Sequence, residues 1–154
     1  MTRESDSPKP VVAVGVVVRR GDEILLVQRG KPPHHGSWSI PGGHLRFGET
    51  ISDAATREVR EECGVEIQLL DARLVLNRIG RDGAGIQYHF VIIDLLADWV
   101  SGNPVAGDDA DAVMWVRPDE IPKLETSPGL AKYVQDMLKS PGAAAVSDVF
   151  DAGS

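Results

Sequence analysis

From Gly43 to Val65 the chain reads GHLRFGETISDAATREVREECGV. A glycine is followed after five residues by Glu49, and after seven more by Arg57-Glu58-Val59-Arg60-Glu61-Glu62-Cys63-Gly64-Val65. The spacing predicts a helix over Thr50 to Cys63. Thr50 is the N-cap, Asp53 stands at the capping-box position three residues on, and Gly64 is the C′ stop. On that helix Glu58, Glu61 and Glu62 fall at i, i+3 and i+4, within roughly 100° of arc. Ile51, Ala54 and Ala55 share the same face one to two turns earlier. The apolar stripe that should pack inward therefore runs into three carboxylates, whereas on a solvated helix acids sit opposite that stripe. The acids are expected to line a cleft. Like charges one turn apart weaken a helix unless a cation neutralises them. Oxygen-only anionic ligands suit Mg²⁺ or Mn²⁺, and the sequence offers no Cys–His set for zinc.

The pattern G-x5-E-x7-R-E-U-x-E-E-x-G-U, with U a bulky aliphatic residue, resembles the Nudix box at every position. That resemblance implies an α/β Nudix fold, an α/β/α sandwich around a mixed β-sheet, and hydrolysis of a nucleoside diphosphate linked to some moiety X. It makes Glu58 and Glu62 the principal metal ligands, with the backbone carbonyl of Gly42 beside them. Glu61 becomes a ligand or the water-activating base, Arg57 an orienter of the glutamates, and Glu49 a structural or outer acid. The family often adds an acid from a loop outside the box, for which Asp108, Asp109 and Asp111 are candidates. Either Glu61 or a loop aspartate can then be the base.

The rest of the chain agrees with that architecture. Val11 to Arg19 and Glu23 to Arg29 are valine-rich runs joined by Arg20-Gly21-Asp22, which suits a hairpin. Trp38-Ser39-Ile40 reads as a short strand and Pro41-Gly42-Gly43 as a turn open to close backbone approach. Ile67 to Leu76 and Gln87 to Ala97 read as strands around a loop at Gly80 to Gly85. Val113 to Val116 is another strand, Pro118 opens a short helical turn, and a last helix runs from Pro128 to Leu138. The order β-β-β-α-β-β-β-α argues for a mixed sheet with flanking helices. Residues 1–9 are expected to be a flexible N-terminal arm, 10–140 the Nudix hydrolase domain, and 141–154 a flexible C-terminal tail.

Composition narrows the partners. With 42% hydrophobic and 25% charged residues the chain is ordinary for a soluble domain. The apolar run Val11 to Val18 is too short to span a membrane, and the first residues do not resemble a signal peptide. A single cysteine forms no internal disulfide. These readings predict a cytoplasmic protein with no membrane partner. A net charge of −7 argues against general nucleic-acid binding and against RNA decapping. The expected partner is a small-molecule nucleotide. The resemblance also admits a homodimer, since many family members are dimers.

Two substrate readings stand. W-x-I-P-G-G-H before the box and P-D-E-I-P after Trp115 resemble ADP-ribose pyrophosphatase-like members, and so point to ADP-ribose or a similar nucleoside diphosphate sugar. P-G-G-H-L-R-F-G-E-T and Y-H-F-V also resemble members acting on nucleoside triphosphates. A non-catalytic nucleotide-binding regulator is disfavoured by the intact box. Arg29, Arg46, Phe47 and Tyr88 are candidate substrate contacts, with His34 and His35 near the same turn. Trp38 is a candidate for base stacking or the core, and Trp115 for the core. His89 opens an alternating strand with Tyr88. Asp94 interrupts that strand's apolar alternation and marks a bulge, an edge position or a buried partner.

Overall fold

The computed structural model describes residues 8–32, 34–139 and 146–150. Val11–Arg20 (β1) and Glu23–Arg29 (β2) are antiparallel neighbours only beside their shared turn, at Arg19↔Ile24 and Arg20↔Glu23. Beyond it they part. On one prong of this fork β1 takes Gly42–His44 (β4), with Gly15 opposite Gly42; on the other, β2 takes Trp38–Ser39 (β3). The outer side of β2 carries Ala110–Val116 (β7). The outer side of β1 carries Gly85–Ser101 (β6) in parallel register, and β6 pairs antiparallel with Glu66–Asp82 (β5). The seven strands thus form one mixed sheet.

The unbroken valine run of β1 is explained by burial on both faces. Val14, Val16 and Val18 point into a core shared with Ala54, Ala55, Val59 and Cys63 of the first helix, Ile51–Cys63 (α1). Val17 points the other way, to Ile121 of a 3-10 helix (Pro118–Lys123) and to Leu130, Val134 and Met137 of Leu130–Lys139 (α2). Trp38 packs against this second core and Trp115 against the first. Arg20 lies 4.2 Å over the Trp115 ring.

Several elements differ from expectation. Gly42 and Gly43 belong to a short strand and not to a turn, because β1 continues past the fork and needs a partner there. β5 and β6 run through most of the expected Gly80–Gly85 loop and close only beyond Asp82↔Gly85, where Asp82 accepts a 2.7 Å bond from the Ala84 N–H. Asp94 is at no edge, since β6 lies between β1 and β5; the pairing of β5 shifts register between Ala72 and Leu74, opposite it. Of the expected arm and tail, residues 1–7, 141–145 and 151–154 lie outside the described residues. Val146 packs against the α1-side core, while Val149 and Phe150 are exposed.

Glycine is required at position 42. A Cβ there would meet the Val14 carbonyl oxygen at 2.1 Å and the Gly15 Cα at 2.9 Å. Gly42→Ala is therefore expected to destabilise the fold by ~2 kcal/mol or more, because backbone and not a mobile side chain must give way. Urea unfolding checks this; a variant within 0.5 kcal/mol of the parent, about the effect of an ordinary surface change, would show that the two strands can separate freely.

Candidate active site

The helix α1 is fixed at both ends as its sequence requires. Thr50 Oγ1 accepts from the Asp53 N–H at 3.1 Å, and Gly64 closes the helix in the left-handed region at φ 71°. Its packing stripe is Ala54, Ala55, Val59 and Cys63, all buried. The stripe does not simply turn into acids. Glu58 and Glu62 sit at its margin, partly buried, while Glu61 points outward with 45% of its side chain exposed. The burial of Cys63 pushes its thiol up to about 12, which makes it inert packing.

Arg57 ties the acids together. Its guanidinium donates to both Glu49 oxygens at 2.7 and 2.9 Å, to Glu58 at 2.7 Å, to Glu61 at 3.4 Å and to the His44 carbonyl at 3.1 Å. These bonds hold the Glu49 carboxyl down at about 2, helped by the Arg46 N–H. Glu49 is thus a permanent anion that holds Arg57 in place.

Glu62 stands under the opposite influence. Burial, and then contact with the Glu58 carboxyl, push it up to about 8, opposed by the Gly42 N–H at 3.3 Å and by the charge of Arg29. Gly43 leaves the space that the Glu58 carboxyl fills, since a Cβ there would lie 2.5 Å from it. Two carboxylates pressed together, with oxygen donors only, fit a hard divalent cation, which would relieve their repulsion. Among the described residues no group of three or more His, Cys, Asp or Glu is gathered closely enough to hold a metal ion. The fit is that of the Glu58–Glu62 pair, with Glu61 turned toward Arg57 and, at 3.8 Å, toward Arg46.

The acidic loop lies against the end of α1. The Gly107 N–H donates to the Glu62 carbonyl at 2.9 Å, and a Cβ at Gly107 would strike the Glu61 carbonyl at 1.8 Å. Asp109 is paired with Lys31 at 2.5 Å and Asp111 with His35 at 3.0 Å; the Gly30 N–H donates to the Asp109 carbonyl. Asp108 is exposed. Two of the three loop acids therefore fasten the loop after β2. His34 stands in that loop at φ 63°. Sequence reading missed Lys31 and His35 as loop fasteners and the His44 carbonyl as an Arg57 acceptor. Nothing in a local pattern marks a carbonyl's partner.

The proposed substrate contacts are dispersed around this centre. Arg29 is close enough to Glu62 to act on its charge, and Arg46 flanks Glu61. Phe47 is fully exposed at the loop tip. Tyr88 lies farther off, 46% exposed, in ring contact with Phe90 at 5.6 Å; Phe90 in turn meets His44 at 5.5 Å.

Asp94 is 4% exposed, and burial pushes its carboxyl up to about 6 against the favourable charge of Arg78. An acid with a raised folded-state pKa holds its proton more tightly folded than unfolded. Its contribution to stability thus worsens as pH rises from about 4 through about 6. Asp94→Asn is expected to be more stable than the parent above about pH 6, by on the order of 2–3 kcal/mol, and equal to it below about pH 4. Denaturation at both ends of that window checks this; a difference that ignores pH would rule out the buried charge as its cause.

These elements and this glutamate helix define a phosphoanhydride hydrolase, and the chain belongs to the Nudix family: the NUDIX domain matches residues 9–137. It is 33% identical over 115 residues to an ADP-ribose pyrophosphatase of Methanocaldococcus jannaschii, a match that covers 75% of this chain and 66% of that relative. It is 31% identical over 131 residues to a putative 8-oxo-dGTP diphosphatase 2 of Mycobacterium tuberculosis, covering 84% and 89% respectively. The crystal structure of a MutT NUDIX hydrolase from Burkholderia pseudomallei superposes with a TM-score of 0.73 at 28% identity, over 83% of this chain and 98% of that one. Among the described residues no helix is long and apolar enough to cross a membrane.

Proposed function

We propose that the protein is a Mg²⁺- or Mn²⁺-dependent pyrophosphohydrolase that cleaves a nucleoside diphosphate linked to X, with ADP-ribose or a similar nucleoside diphosphate sugar as the first substrate class. The observation that carries the reading is the Glu58–Glu62 carboxylate pair, pressed together beside Gly42, with Glu58 held by Arg57. The substrate class is supported by the relationship to the ADP-ribose pyrophosphatase. Nucleoside triphosphates are the second reading, supported by the relationship to the putative 8-oxo-dGTP diphosphatase.

Glu58 and Glu62, with the Gly42 backbone, would hold the cation. The chemistry it supplies when bound is neutralisation of diphosphate charge and acidification of water. Arg57 fixes the carboxylates, and Arg46 and Arg29 offer positive charge to the phosphates. Glu61 takes the proton from the attacking water. The new P–O bond forms at one phosphorus, and the bridging P–O bond breaks to release the other phosphate. Glu61 is favoured over the loop as base because Arg57 ties it to the same cluster as Glu58, whereas Asp109 and Asp111 are turned to Lys31 and His35 in the loop after β2. Glu61→Gln is expected to lose 10²-fold or more in kcat, the usual contribution of a general base, while Asp108→Ala stays within a few-fold. The reverse pattern would move the base to the loop.

Incubation with Mg²⁺ and a nucleotide panel, with products identified by mass, tests the function itself. AMP plus ribose 5-phosphate supports the first class. A nucleoside monophosphate plus diphosphate supports the second. No turnover of any nucleotide would refute both. Mg²⁺ or Mn²⁺ is also expected to raise the melting temperature, since binding to the native state alone stabilises it by mass action. The rise should vanish in Glu58→Gln/Glu62→Gln; an equal rise in that variant would place the metal elsewhere.

A further inference from the structure

The carboxylate of Asp94 has no part in the chemistry above, yet the chain is arranged around it. It lies on the sheet face opposite α1, in the row that holds Leu96, and Gly15 stands beside it on β1. A Cβ on Gly15 would fall 2.2 Å from Asp94 Oδ1, so the glycine makes room for the carboxylate. Ile40 closes in on the same point at 3.0 Å. No donor among the described residues hydrogen-bonds Asp94, and Arg78 acts on it only through its charge. A buried carboxylate without a hydrogen bond is costly to the fold. Its oxygens are not sealed off: among the described residues the one polar side-chain atom both sealed from solvent and unpaired is Trp115 Nε1. Farther along the same row, beyond Ile92, stand the rings of Phe90 and Tyr88, with His44 against Phe90.

From these placements we infer that Asp94 is a specificity-determining residue, the acceptor for the exocyclic amino group of a purine nucleobase that stacks on the neighbouring rings. An ionised carboxylate is acceptor-only and so selects for N–H donors. The flat aromatic flank favours a planar heterocycle over a sugar. The reach is right: Asp94 is two strand spacings from Gly42, across β6, β1 and β4, or about 10 Å. A nucleotide with its diphosphate at Glu58 and Glu62 can span that distance with its ribose. The inference rests on the nucleotide-hydrolase reading and specifies which bases that site takes.

The test compares binding of two matched pairs of nucleoside monophosphates. AMP and nebularine 5′-monophosphate differ only in the 6-amino group; GMP and IMP differ only in the 2-amino group. The parent protein is expected to prefer the amino member of at least one pair by about tenfold or more, the usual worth of a hydrogen bond to a buried charge. The pair that shows it tells adenine from guanine. In Asp94→Asn that preference should shrink, and in Asp94→Ala it should fall to within about threefold. The parent's own ratios stand whether or not a variant folds: no preference in either pair overturns the inference. So does a preference that survives in either variant, which would leave Asp94 a purely structural group. Loss of all nucleotide binding and turnover in the parent would instead refute the nucleotide-hydrolase reading, and the inference with it.

Discussion

Glu62→Gln is expected to fold normally and to lose ~10²-fold or more in kcat. The swap keeps the size of the side chain and its bond from the Gly42 N–H, and it removes the charge that pairs with Glu58 to bind metal. Its melting temperature without metal should equal or exceed that of the parent, because one of two crowded carboxylates is gone. Turnover and thermal unfolding, each measured with and without Mg²⁺, check both halves. Near-parental activity at saturating Mg²⁺ would sink Glu62 as a principal ligand.

Arg57→Ala should be nearly as damaging, by a different route. Arg57 touches no reacting atom in the proposed mechanism; it positions Glu58 and Glu61 through one guanidinium anchored on Glu49 and the His44 carbonyl. Its removal frees four acceptors at once and leaves Glu49 and Glu58 without their counter-charge. A fall in kcat of ~10² is expected with a lower melting temperature. Arg57→Lys separates positioning from charge. A lysine restores the charge but not the fork that spans several acceptors. The melting temperature should recover substantially while kcat stays low and the metal concentration needed for half-activity stays high. Full recovery of kcat in Arg57→Lys would show that only the charge matters.

The sequence carried the helix almost completely, because its signals are local. Thr50, Asp53 and Gly64 mark its ends within a few residues of chain, and Glu58, Glu61 and Glu62 follow from periodicity. What stayed illegible depends on which strand lies beside which. Gly42 and Gly43 look like a turn until β1 is seen to lack a partner beyond the fork. The length of the β5–β6 hairpin is fixed by cross-strand pairing that outlasts its apolar residues. Asp109 and Asp111 read as candidates for an additional catalytic acid because Lys31 and His35, their partners, are some 76 to 78 positions away. Asp94 read as an interruption because only the sheet reveals Gly15 opposite it. The stripe along α1 was legible in direction but not in detail: Val59 and Cys63 take its centre, and the acids its border.

The fork between β1 and β2 also bears on how such a protein can change. The branch that carries Gly42, next to the glutamates, is short and has backbone contacts that admit no side chain. The β5–β6 hairpin, joined to β1 on its other side, is long, exposed at its tip and anchored by strand pairing whose register shifts along its length. On the base contact inferred for Asp94, substitutions on that hairpin would alter what is held above the sheet while leaving the cutting machinery where it is. Drift at Arg78, Tyr88 or Asp94 would then give a descendant of this chain a new diet, and a screen for altered substrates would gain most by randomising those positions and leaving the glycine branch alone.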